Sequence, residues 1–89
     1  PGDGPEALWA GAQALWAFAR AGGEAARLQA LAQVRSAGSR QAWDGRYPYL
    51  EGRVLLLLHR RAEAQRALDR AAALNANLRA AALAAAAAG

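Results

Sequence analysis

Residues 46–79 read RYPYLEGRVLLLLHRRAEAQRALDRAAALNANLR, and the fold is decided there. Leu50, Val54, Leu57 and Leu58 recur at helical spacing and predict a helix from about Pro48 to about His59. Within it Val54 to Leu58 is apolar on every side, as expected of a helix covered on more than one face. A second pattern begins after Arg61. Ala64, Ala67, Leu68, Ala71 and Leu74 form the inner face of a helix from about Ala62 to Leu74. Glu63, Arg66, Asp69 and Arg70 fall outside, with Glu63–Arg66 and Arg66–Asp69 spaced for weak surface pairs. His59 reads as a turn residue, because histidine is among the side chains that tolerate positive φ.

On the N-terminal side, residues 1–5 read as a flexible lead-in, with Asp3 or Gly4 capping a helix that has Pro5 at its first position. That first helix should run from about Pro5 to Arg20. Leu8, Ala12, Leu15 and Ala19 make its apolar stripe, and Trp9 and Trp16 widen it. Gly22-Gly23 should stop it, since glycine tolerates a left-handed turn. A second helix follows from about Glu24 to Ala37, with Leu28, Leu31 and Val34 buried and Arg27, Gln29, Gln33 and Arg35 mostly outside. A two-residue link allows only an antiparallel hairpin. Residues 38–47 are the least regular stretch; Asp44-Gly45 signals a turn, and Trp43 is expected to tuck under the next hairpin. On the C-terminal side Asn75-Ala76-Asn77 is a turn. Residues 78–88 then form a nearly all-alanine helix with only Leu78 and Leu83 to bury.

Composition agrees. The 89 residues include no Cys, Met, Lys, Ile or Thr, and valine only at Val34 and Val54. Residues that favour strands are nearly missing, while Ala, Leu, Arg, Gln and Glu favour helices. The reading is one all-α domain. Eleven arginines against seven acids give a net charge of +4. The densest basic stretch runs Arg35, Arg40, Arg46, Arg53, Arg60 and Arg61, diluted by Asp44 and Glu51. Such scatter reads as a solvated surface, and a nucleic-acid track is disfavoured. The longest uncharged runs, residues 7–19 and 80–88, are too short to span a bilayer. Without cysteine there is no disulfide or thiol chemistry, and the compartment is left open. No signal peptide is visible, so the default is cytoplasmic. An initial Pro1 reads as a piece of something larger.

Groups for catalysis are sparse. His59 stands alone, short of the several ligands a metal needs. Ser36 and Ser39 have no evident base. Glu6, Glu24, Glu51 and Glu63 lie on different helices, and the glycines have the wrong context for a phosphate loop. No enzyme activity, cofactor or metal is expected.

The two helices of residues 46–79 resemble a tetratricopeptide (TPR) repeat, which is two antiparallel helices in 34 residues. Gly52 stands at the family's small residue in the first helix, and Leu55 at the large residue one turn later. Ala64, Leu68 and Ala71 match the close-contact alanine, the large residue and the second alanine. Leu74-Asn75-Ala76-Asn77 is similar to the closing Leu-Asp-Pro-Asn. Small side chains at Gly52, Ala64 and Ala71 would let the helices approach, with Leu55 and Leu68 filling the gap. Pro48, Glu51 and Ala76 depart from the pattern, standing at the family's Trp, Leu and Pro. A shift of 40 residues pairs Trp9 with Tyr49, Ala12 with Gly52, Leu15 with Leu55 and Leu28 with Leu68, so the first hairpin is similar to a degenerate repeat. The resemblance implies antiparallel hairpins over about 5–37 and 48–74, stacked as a short TPR-like solenoid with a capping helix over about 78–88.

In the family the first helix of each repeat lines a concave groove. Carried over, that face holds Glu6, Trp9, Gln13 and Trp16, then Arg46, Tyr49, Arg53 and Leu56. Trp, Tyr and Arg are the residue types that dominate interface hot spots, although rings also fill small cores. The family's carboxylate clamp needs Lys and Asn at set places and is not present. The expected function is a non-catalytic module binding a peptide or helix of another protein. The alternative is a chaperone of the bacterial-secretion type, or a self-associating scaffold segment forming homo-oligomers.

Overall fold

A computed structural model of the chain describes residues 5–88. Five α-helices account for most of them: α1 (Pro5–Ala21), α2 (Glu24–Arg40), α3 (Arg46–Leu57), α4 (Arg61–Leu74) and α5 (Arg79–Ala88), the last preceded by a 3-10 turn at Ala76–Leu78. No strand occurs among the described residues. The cap expected at Asp3 or Gly4 and the side chain of Leu8 lie outside the described residues.

The α3–α4 hairpin is drawn together by its small residues. A Cβ placed on Gly52 would stand 2.7 Å from Leu68 Cγ, 2.8 Å from Leu68 Cδ2 and 3.2 Å from the Ala64 carbonyl oxygen. Carbon atoms normally sit about 3.5–4.0 Å apart, so any larger residue here would force its neighbours to shift. Ala64, Ala71, Leu55 and Leu68 are buried beside it. The chain reverses through His59, whose φ is 61°. His59 N–H donates to Leu56 O (3.0 Å) and Arg60 N–H to Leu55 O (2.9 Å), the paired bonds of a Schellman turn. Glycine usually takes that left-handed position; here histidine does.

Helix α3 lies at the centre. Val54 and Leu55 join Ala19, Ala30, Leu31, Ala64 and Ala67 in one buried cluster. Tyr47 and Leu50 join Ala12 and Val34 in another, and Leu15 and Trp16 lean on both. Helices α1, α2 and α4 all pack against α3. On the α2–α4 side, Glu51 ties three helices. Its Oε2 is 3.0 Å from Arg35 Nε and its Oε1 3.2 Å from Arg70 Nη2.

Several expectations need correction. Trp43 does not tuck under the hairpin; it is 65% exposed. Helix α2 runs on through Gly38 to Arg40, so the connection shrinks to residues 41–45. Tyr47 takes the inner place, its Cβ 3.1 Å from where a Gly38 Cβ would be. Arg27 is not outside. Its Nε donates to Ala19 O (3.1 Å) and its Nη1 to Leu57 O (3.2 Å), holding the C-terminal ends of α1 and α3 together. A cation there also suits both helix dipoles. Leu28, Leu74 and Leu83 remain exposed. Ala30, Leu31 and Val34 supply the buried face of α2, and α5 buries Ala82. Neither Gly22 nor Gly23 is left-handed. Gly22 N–H closes α1 on Phe18 O (2.9 Å), and Gly23 is extended at the start of α2. The surface pairs expected of Arg66 do not form. Asp69 instead accepts from Gln65 Nε2 (2.9 Å), and Glu63 lies 3.8 Å from both Arg35 and Arg60. Asn75 begins the next turn, its Oδ1 accepting from Asn77 N–H (3.0 Å).

No described helix is long and apolar enough to cross a bilayer. The molecule is flattened, with extents of 38 × 31 × 16 Å.

Candidate functional site

Trp9, Gln13, Trp16 and Arg20 follow one another at three or four residues along α1, so they share a helix face. Arg46, Tyr49, Arg53 and Leu56 do the same on α3. The two faces meet. The Arg46 guanidinium lies 4.8 Å from the Trp9 ring centre, and that of Arg53 lies 4.2 Å from Trp16 and 5.6 Å from Tyr49. Early residues pair with early ones and late with late, so α1 and α3 run parallel. Arg20 approaches Trp16 as well, at 5.9 Å. Each contact is within the range where a cation is attracted to an aromatic face.

One end of this row is fastened by a loop. Arg46 Nε donates to both carboxylate oxygens of Asp44 (3.0 and 3.1 Å) and Nη2 donates to Oδ2 (2.7 Å). The Arg46 backbone N–H also donates to Asp44 Oδ1 (3.0 Å), making an Asx turn that starts α3. Those bonds from Arg46 hold the buried Asp44 carboxyl below the usual aspartate range, and Asp44 in turn raises Arg46. Glu6 adds a smaller attraction to Arg46. Beneath, Tyr47 meets Trp9 edge to face, with ring centres 5.7 Å apart and planes at 86°. Burial pushes the Tyr47 phenol up, and its hydroxyl has no hydrogen-bond partner among the described residues.

The other end opens into a pocket of about 180 Å³ lined by Trp16, Arg53, Leu56 and Leu57, with Ala85 and Ala88 of α5 as its far wall. A larger pocket of about 470 Å³ lies elsewhere, between α4 and α5 around Leu68, Ala72 and Leu83. It has no aromatic lining. Among the described residues no three of His, Cys, Asp and Glu come together as a metal ion requires.

Of the residues singled out in the sequence, Trp9, Trp16, Arg46, Tyr49, Arg53 and Leu56 are therefore brought onto one surface. Glu6 and Gln13 are exposed, Glu6 near Arg46 and Gln13 between the two tryptophans along α1. Sequence reasoning missed Arg20, Asp44 and the α5 alanines. Arg20 is four residues from Trp16, which is a usable signal, and Asp44 precedes Arg46 at Asx-turn spacing. The alanine run carries no such mark. No protein-family model, curated protein or solved structure matches the chain.

Proposed function

We propose that the chain is a TPR-like binding module that receives a peptide or helix of a partner protein across the α1–α3 face. The observation that carries this reading is the two cation–aromatic groups Arg46–Trp9 and Tyr49–Arg53–Trp16, set one after the other along α1 and α3 with an open pocket at one end. Half-buried aromatic and arginine side chains packed against one another lose little entropy on binding, and these types recur at interface hot spots. The tight α3–α4 hairpin at Gly52, the parallel course of α1 and α3, and α5 beside α3 are what a stack of such hairpins would present. The 16 Å thin dimension suits two helix layers, whose axes lie about 8–10 Å apart. The test is selection from a displayed library of random peptides, followed by Trp16→Ala, Tyr49→Ala and Arg53→Ala. Selected peptides should lose affinity for each variant while helical content is kept. Unchanged affinity in all three would overturn the assignment.

A second reading, self-association, draws on the open α4–α5 pocket with the exposed Leu83 at its edge. It predicts an apparent mass that rises with concentration in sedimentation; a strict monomer would remove it.

A further inference from the structure

The fate of each arginine separates one position from the rest. Arg35, Arg60 and Arg70 lie against Glu51 or Glu63, and Arg46 is bound to Asp44. Arg27 and Arg61 donate to helix carbonyls, and Arg40 to the Ser36 hydroxyl. Among the described residues, Arg20, Arg53, Arg66 and Arg79 have neither a hydrogen-bond acceptor nor a carboxylate. Arg20, Arg66 and Arg79 are exposed and water serves them. Arg53 is different. It is half-buried, its guanidinium lying between the Trp16 and Tyr49 rings, and it lines the pocket beside Leu56 and Ala88. None of the five N–H donors of its guanidinium has an acceptor among the described residues. A partly desolvated cation with unused donors is a place where an anion gains more than it does at an open surface. Arg20, on the same tryptophan, adds a second unpaired cation at that end.

We propose that the segment received on the α1–α3 face is acidic, and that Arg53, with Arg20 beside it, takes a carboxylate from it at the Trp16 end. This rests on the face being the binding site. Charge complementarity has a direction along the row. At the Trp9 end Asp44 already neutralises Arg46 and Glu6 adds negative charge, so an acidic group is not favoured there. At the Trp16 end two cations stand without partners. A nucleic acid is a poorer fit than an acidic peptide. Phosphate tracks need a row of open cations, whereas here Arg35, Arg60 and Arg70 are held by Glu51 and Glu63 and the unpaired Arg66 stands apart on α4. Flat aliphatic contact at Leu56, Leu57, Ala85 and Ala88 suits apolar side chains flanking the acid.

The test uses two displayed pools of end-blocked peptides, one random in Leu, Ala and Glu, the other with Gln in place of Glu. Affinities of the best members are measured by calorimetry at low and high salt. The glutamate pool should yield binders roughly tenfold tighter than the glutamine pool, the gain of one charge-assisted contact. Salt should shrink that gap. Arg53→Gln should abolish it and Arg20→Gln reduce it. Arg53→Lys, which keeps the charge and loses the planar fork, should restore only part. Arg66→Gln, on α4, should leave it intact. Equal binding by both pools, lost in Trp16→Ala, would overturn the acidic assignment while leaving the face as the site. An acidic preference that falls as much in Arg66→Gln as in Arg53→Gln, or a DNA duplex bound more tightly than either pool, would mean diffuse charge and overturn it too. Binding by neither pool would count against the face itself.

Discussion

A single methyl group at residue 52 tests the packing on which the α3–α4 hairpin depends. In Gly52→Ala the new carbon would lie 2.7 Å from Leu68 Cγ and 3.2 Å from the Ala64 carbonyl oxygen. Neither neighbour can yield easily: Leu68 is 1% exposed, and the carbonyl belongs to the α4 backbone. Overpacking of this kind costs about 1–3 kcal/mol, and the short approach places this site in the upper part of that range. Replacing glycine by alanine inside a helix returns about 1 kcal/mol. The net loss should be about 1–2 kcal/mol. Leu68→Ala alone should cost about 2–5 kcal/mol. In the double variant the methyl at 52 enters space that Leu68 has vacated, so the combined loss should fall short of the sum by about 1 kcal/mol or more. Urea unfolding followed by circular dichroism, with an unchanged m value, reads all three. Against a total of order 5–10 kcal/mol for a chain this size, the effects are measurable. A Gly52→Ala protein as stable as the parent, or strict additivity in the double variant, would refute the close approach of α3 and α4.

His59→Gly should raise stability by up to about 1 kcal/mol in thermal unfolding, because glycine occupies the left-handed region without the Cβ penalty; a loss would contradict the φ of 61°. Arg27→Met keeps the aliphatic stem and removes both bonds to helix ends, so it should cost about 1–3 kcal/mol by the same assay. Stability should have two limits in pH. Asp44 is held below its ordinary value of about 3.9 by Arg46, so its contribution is complete above that value and fades as pH falls through the lower, folded one. Asp44→Asn should flatten that acid limb. Tyr47 is raised above about 10 by burial, so the fold should weaken as pH climbs past that value, where only the unfolded phenol ionises freely.

How far these features could be read in advance depended on whether their cause is local. The α3–α4 close contact was legible, because Gly52, Ala64 and Ala71 are small at helical spacing and Leu55 and Leu68 are large between them. The His59 reversal was legible too, since it interrupts one apolar pattern just before another starts. Trp43 was not. Its bulk suggests burial, but its exposure follows from α2 continuing across Gly38, a continuation tied to Tyr47 packing where a side chain would be. Arg27 was equally hidden, because its role exists only where the ends of α1 and α3 converge. Glu51 stood out as a charge at a position where leucine was expected, and its reason lies in Arg35 and Arg70 on two other helices. On the candidate face, the α1 and α3 spacings gave the aromatic and basic residues. The wall from α5 could not be foreseen, because alanine at every position gives no period to read.

The central claim, that the α1–α3 face receives a partner, has a direct readout in the three indole N–H signals of the nuclear magnetic resonance spectrum. Trp9 and Trp16 lie on the face; Trp43 projects from the connection before α3 and serves as the internal control. Titration with a peptide selected from the displayed library should move the Trp16 and Trp9 signals saturably and leave Trp43 in place. Movement of Trp43 alone, with Trp9 and Trp16 unshifted at saturation, would contradict the account.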